Sequence, residues 1–278
     1  MQGVSKASLT AVKKRLDEVA GEGTDRAEIG DQLFAFADLL DRELRLRRAL
    51  ADAGSEPDAR QNLARRLLGD QVSEATSELV GDLVGLRWAS PADLLVATEE
   101  LGAQALFSAE ESGSGGPGTG SGALDDIEDE LFRFGRLIDR EPRLALALSD
   151  PALPAERKSS LIDRLLGDRA TKTTARLVER VSIHPRGRSI PRALERLAEL
   201  ASERRSRYIA VVTSAQPLAS DQADRLRSAL STAFGRDMDI QADVDPSLLG
   251  GLVVRVGDEL VDGSVVRRLA DLRRRMAR

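Results

Sequence analysis

The chain contains no cysteine and only one histidine, His184, among its 278 residues. Without thiols there is no disulfide, thiolate nucleophile, iron–sulfur cluster or cysteine-ligated zinc. The one imidazole stands before a proline in "SIHPRGRS" and reads as a solvated residue of a basic turn; alone, it cannot complete most nucleophile–base pairs. Aromatic residues make up 3% of the chain, so its cores must be filled by Leu, Val, Ala and Ile. No apolar run approaches the roughly 20 residues that span a bilayer. The opening "MQGVSKASLTAVKKRLDEV" has lysines but neither an apolar segment nor a small-residue cleavage site, so secretion and direct membrane insertion are not expected. A surplus of base is missing too. A net charge of −5 argues against a nucleic-acid partner, which calls for phosphate-neutralising cations. Arg267, Arg268, Arg273, Arg274, Arg275 and Arg278 read as the solvated end of a last helix, complementing its dipole.

What the sequence does have is a repetition. "IGDQLFAFADLLDRE" (Ile29–Glu43) returns as "IEDELFRFGRLIDRE" (Ile127–Glu141), ninety-eight positions later. At the same offset Arg45 and Leu46 match Arg143 and Leu144, "RLLGD" occurs at Arg66–Asp70 and Arg164–Asp168, and Leu79–Val80 answers Leu177–Val178. A slip of two brings Pro91 opposite Pro191. A unit of about ninety residues is longer than the roughly 20–50 of a solenoid repeat, so each copy is a small domain of its own. Leu33, Phe36, Ala37, Leu40 and Leu44, and again Leu131, Phe134 and Ile138, follow the spacing of one helix face. The acidic run "DDIEDE" (Asp125–Glu130) is a helix start whose charge suits the dipole, not a pair of catalytic carboxylates. Further helices are expected over about 58–68, 71–86 and 91–111, the last at the boundary between the two bundles, and the second copy gives 155–166, 172–183 and 191–207. Pro91 and Pro191 suit first-turn positions.

Ser112–Gly122, "SGSGGPGTGSG", contains a literal G-x-G-x-x-G at Gly113, Gly115 and Gly118. That fingerprint needs a strand before it and a βαβ unit around it. Here a helix precedes it and no phosphate-loop lysine follows, so it reads as a flexible linker. No cofactor, metal or catalytic residue set is expected.

From Tyr208 the period shifts towards two. "YIAVVTSAQPL" reads as a strand entering a turn at Gln216–Pro217. A helix follows from an N-cap at Ser220 to Gly235, carrying Leu226, Leu230 and Ala233 on one face. "DMDIQADV" is a second strand with Met238, Ile240 and Ala242 on one side. A third strand, "LVVRV", and a last helix at 264–276 complete a compact module. The expected fold is mainly α with a C-terminal α/β module: two tandem small helical bundles followed by a compact mixed α/β domain. Its domains are an extra helical bundle (1–90), a second bundle interrupted by the 112–122 insert (91–207), and the α/β module (208–278).

"DPSLLGGLVVRVG" (Asp245–Gly257) resembles the C-terminal signature of the delta subunit of the F-type ATP synthase, the family of the oligomycin-sensitivity conferral protein. "AVVTSAQPL" (Ala210–Leu218) and "DGSVVRRLADLRRRM" (Asp262–Met276) are similar to that family's flanking segments, in the same order. "EELGAQALFSAEESG" and "LDDIEDEL" resemble its N-terminal helices. Residues 91–278 therefore look like a whole delta subunit, preceded by an extra copy of its helical domain. In the signature, Asp245, Gly250, Gly251, Val254 and Gly257 are structural; Gly250 and Gly251 suit a bulge or close backbone approach before a strand.

The resemblance implies a non-catalytic stator subunit, not an enzyme. It would be present in one copy per complex, peripheral at the cytoplasmic face of the plasma membrane. It would link the catalytic head to the b-type stalk subunits, so that rotation is coupled to ATP synthesis. The helical domain is expected to receive the N-terminal helix of an alpha subunit in an apolar groove, placed between the helices at 91–111 and 172–184. Leu95, Leu106, Leu177 and Val181 are its candidate lining. The alternative is an unrelated helical adaptor with a look-alike tail.

Overall fold

The computed structural model describes residues 3–19, 25–113, 120–205, 209–234, 238–246, 248, 250–256 and 259–262. The first repeat comprises α1 (Val4–Val19), α2 (Arg26–Arg42), α3 (Leu44–Leu50), α4 (Pro57–Leu68), α5 (Glu74–Gly85) and α6 (Pro91–Gly113). The second follows with α7 (Gly120–Arg140), α8 (Pro142–Ser149), α9 (Ala155–Leu166), α10 (Lys172–Ile183) and α11 (Ile190–Arg205). β1 (Ile209–Ser214), α12 (Ser220–Phe234), β2 (Asp239–Val244), β3 (Leu252–Val256) and β4 (Glu259–Asp262) form the C-terminal module. Two compact units result: residues 1–114 with 127–200, and residues 115–126 with 201–278. The fold is mainly α with a small α/β module.

The duplication shows most clearly in matching polar fixtures, some part-buried and some buried. Ser73 caps α5, its hydroxyl accepting from the Thr76 N–H, and Thr171 caps α10 by accepting from Thr174. In both copies the cap is itself held by the long second helix. Gln32 Oε1 accepts from the Ser73 N–H and hydroxyl, each at 3.0 Å, as Glu130 Oε2 does from Thr171 at 2.9 Å. These caps satisfy donors that the first helical turn leaves free. They also explain why α5 begins at Glu74 and not near 71: Gly69–Gln71 is a separate 3-10 turn, matched by Gly167–Arg169. At the other end of the same helices, buried Arg60 donates to the carbonyls of Gly85 and Leu86. Buried Lys158 donates to that of Ser182. A cation here meets both the orphan carbonyls and the negative end of the dipole.

α6 binds the first unit together. Every residue from Leu101 to Ser108 is buried, as in a helix surrounded by others. Its Leu94, Leu95, Ala97, Leu101 and Ala105 share one apolar cluster with Leu16 of α1, Ile29, Leu33 and Leu40 of α2, and Leu79 and Leu83 of α5. Each fully buried leucine contributes about 1.5–3 kcal/mol. The boundary expected after residue 90 falls between α5 and α6, which are two walls of this core. α2 and α6 approach closely at a pair of glycines. A Cβ on Gly30 would lie 2.8 Å from Leu106 Cδ2 and 3.1 Å from the Gly102 carbonyl, and one on Gly102 would lie 2.7 Å from the Phe34 ring.

In the second unit the sheet order is β2-β1-β3-β4. β1 and β2 are parallel and joined through α12, while β1–β3 and β3–β4 are antiparallel. Ala210, Val212, Met238, Val254 and Val256 form its core, with Leu226, Leu230 and Ile240 packed against it. Ala242, expected beside Met238 and Ile240, is exposed on the edge strand. β4 is a strand beyond those expected. The ends of the Gly/Ser insert are helical, in α6 and α7. Its centre (114–119), Gly257, Gly263, the helix expected at 264–276 and the C-terminal arginines lie outside the described residues.

Candidate functional site

Among the described residues no group of His, Asp or Glu is arranged to hold a metal ion. Leu95, Leu106, Leu177 and Val181 are 6%, 1%, 0% and 8% exposed. Leu95 belongs to the first-repeat core, and Leu106 packs on Gly30 of α2. Only Leu177 and Val181 come together on a cavity, walled also by Phe34, Ala193, Leu197 and Leu200, whose volume is about 40 Å³. That is room for little more than a water molecule. In the seam between α6 and α10, where the groove is expected, α2 contributes Phe34 to the lining of this cavity.

α2 lies along this seam with an aromatic ring and a row of carboxylates. The Phe34 ring rests where Gly102 of α6 has no side chain, and the Arg180 guanidinium of α10 lies over the ring, 4.8 Å from its centre, a cation–π contact. The same guanidinium grips Asp38 through two parallel hydrogen bonds of 2.6 and 2.7 Å, the geometry that makes Arg–carboxylate pairs strong. Arg186 donates to Asp38 at 2.7 Å, and Arg176 pairs with Asp31. Arg186 also meets Glu99 at 3.2 Å. It does so from a left-handed backbone conformation, φ +48, at a cost of about 1–2 kcal/mol.

His184, read from sequence as solvated, caps the end of α10 with its Nδ1 3.4 Å from Asp38. Burial, followed by the charge of Arg180, lowers its pKa against the pull of Asp38. For Asp38 burial acts upward, but hydrogen bonds and charge from Arg180, with His184 and Arg186, prevail and hold its carboxyl below the ordinary value. Burial likewise depresses Arg186. A second ionic knot crosses α6: buried Glu100 sits 3.4 Å from Lys13 of α1 and 3.1 Å from Arg196 of α11.

The sequence held one unused signal for this interface. At the repeat offset, Glu78 and Asp82 of α5 stand where α10 has Arg176 and Arg180. The arginines face α2, whereas Glu78 and Asp82 pair with Arg15 of α1 at 3.6 and 2.9 Å.

In the α/β module the signature residues shape the entry to β3. The Asp245 N–H donates to the Ser214 carbonyl at 2.9 Å. Gly250 and Gly251 take φ +126 and +85, values that side chains rarely tolerate. Val254 is buried and pairs with Val212 and Val261.

The family model for the ATP synthase delta (OSCP) subunit matches residues 103–276. Among curated proteins, an ATP synthase subunit delta of Streptomyces avermitilis is 45% identical over 99% of this chain and 98% of its own length. One of Parafrankia is 45% identical over all of both chains, and one of Streptomyces coelicolor 44% identical over 100% of this chain and 98% of its own. The family model begins within α6, but the relatives are matched through α1–α5 as well. The chain belongs to the ATP synthase delta (OSCP) subunit family, in the longer form whose matched relatives also span the first helical repeat.

Proposed function

We propose that this chain is the stator connector of a proton-translocating F-type ATP synthase, at the cytoplasmic face of the plasma membrane. It performs no catalysis. It holds the catalytic head to the b-type stalk subunits against the torque of rotation, one copy per complex. The observation that carries this reading is the end-to-end identity with ATP synthase delta subunits, covering both helical repeats and the module. The closely packed helical unit, crossed by ion pairs on several helices, suits a part that bears load. No described helix is long and apolar enough to cross a membrane, so attachment runs through other subunits. The helical unit receives the N-terminal helix of an alpha subunit and the α/β module the ends of the b-type subunits. With α2 lying in the α6–α10 seam, the alpha helix docks on the helical unit outside it, and Leu95, Leu106, Leu177 and Val181 support that surface from within.

The test is binding of the full chain to a catalytic head stripped of its delta subunit, with an alpha N-terminal peptide as competitor. One-to-one binding that the peptide displaces is the expected result; a competent head that fails to bind overturns the reading.

A further inference from the structure

The repeats expose one ring and half-bury its counterpart. Phe34 on α2 and Phe132 on α7 stand ninety-eight positions apart. Phe34 is covered by Arg180 of α10, and one turn on, Asp38 is the hub for Arg180 and Arg186. Phe132 is 57% exposed. The charge at the hub position is reversed: Asp38 corresponds to Arg136. Arg136 lies 5.7 Å from the centre of its own Phe132 ring and has no carboxylate partner among the described residues. Arg133 is taken by Asp129. Arg136 and Arg140 lie on the exposed side of α7, with the carboxylates of Asp139 and Glu141 nearby in sequence. A third repeat would bring an α10-like helix over this face, and the chain has none.

From this juxtaposition we infer that the Phe132–Arg136–Arg140 face of α7 docks an acidic amphipathic helix of another polypeptide. The partner lays an apolar side chain against the Phe132 ring and a carboxylate on Arg136. It repeats, with the charges exchanged, the way α10 covers α2. A helix rich in arginine is rejected because it leaves Arg136 facing like charge. The inference does not depend on the stator reading.

The probe is a hydrocarbon-stapled peptide of the α10 sequence, Lys172–Ile183, with Arg176→Glu and Arg180→Glu. The unaltered α10 peptide serves as the comparison, and binding to the full chain is followed by fluorescence anisotropy. The glutamate peptide is expected to bind at least about tenfold more tightly than the arginine peptide, as one well-placed charge pair allows. Phe132→Ser should weaken it about tenfold or more, as loss of an aromatic anchor does, without moving the melting temperature. Arg136→Glu should reverse the preference. Equal affinity for both peptides, absence of binding by either, or binding indifferent to both substitutions overturns the proposal. So does dimerisation of the full chain that Phe132→Ser abolishes, since the occupant would then be a second copy. Failure of the head-binding test leaves these outcomes unchanged.

Discussion

The first repeat and the second are the same bundle with different outer charges. Inside, the fixtures keep their roles while the residues change: Gln32 holding Ser73 becomes Glu130 holding Thr171, and Arg60 beneath α5 becomes Lys158 beneath α10. Outside, the same positions are inverted. α5 carries Glu78 and Asp82, α10 carries Arg176 and Arg180, and the α10 arginines close on the aspartates of α2. A duplicated domain starts with two like surfaces, which do not complement each other electrostatically. Reversing the charge on one copy turns like into complementary without disturbing the interior. Two duplicated bundles can thus become one body through surface substitutions alone.

The substitution expected to break that body most severely is Glu100→Ala. It leaves Lys13 buried without this carboxylate and removes one of the partners of Arg196, which also meets Glu199. Breaking a buried ion pair from one side costs about 3–5 kcal/mol; urea unfolding of the full chain should show the midpoint fall with the slope kept. A loss under about 1 kcal/mol, the scale of a surface pair, would mean the Glu100 ion pairs add little to the joining of the repeats.

The comparison between copies is sharpened by Ser73→Ala and Thr171→Ala, each expected to cost about 1 kcal/mol as a lost N-cap. The double substitution should add within about 0.5 kcal/mol, because the two caps share no partner. A marked inequality between them in the same assay would show that the caps are no longer equivalent.

The smallest effect is in pH. His184 has a lowered pKa in the folded chain, so the unfolded chain takes up the proton first, near pH 6.5. Its contribution is present above that pH and is lost as pH falls through the folded value. Asp38 is depressed as well, so its contribution holds above about pH 3.9 and fades below it. Thermal melts across this range should show stability declining from about pH 6.5, with His184→Gln removing that first decline and leaving the one due to Asp38. An unchanged profile in the variant would place His184 outside the Asp38 network.

Much of this was legible because helices advertise themselves by period and duplications by offset. The expected limits 155–166 and 172–183 coincide with those of α9 and α10, where a Thr cap and an apolar stripe agree. The unexpected parts depend on what meets what. α3 and α8, of seven and eight residues, are too short to show a period. β4 has four residues and gains its ladder from β3. Leu95 and Leu106 carry the pattern of a helix face, but no local pattern says that α2 lies over the face behind it. His184 looked solvated because proline, arginine and glycine surround it in sequence; the carboxylate that orders it is Asp38, far back in the chain.

A helix whose middle turns are buried on every side is also a load path. α6, with its 23 residues, is a rod of about 35 Å whose backbone runs unbroken through the packing of both repeats. A pull applied at α1 and resisted at α10 travels through covalent bonds and short transverse contacts, with no linker to stretch between the bundles. Two bundles on a tether would store elastic slack at each power stroke; two bundles sharing a rod have far less to take up before force is passed on.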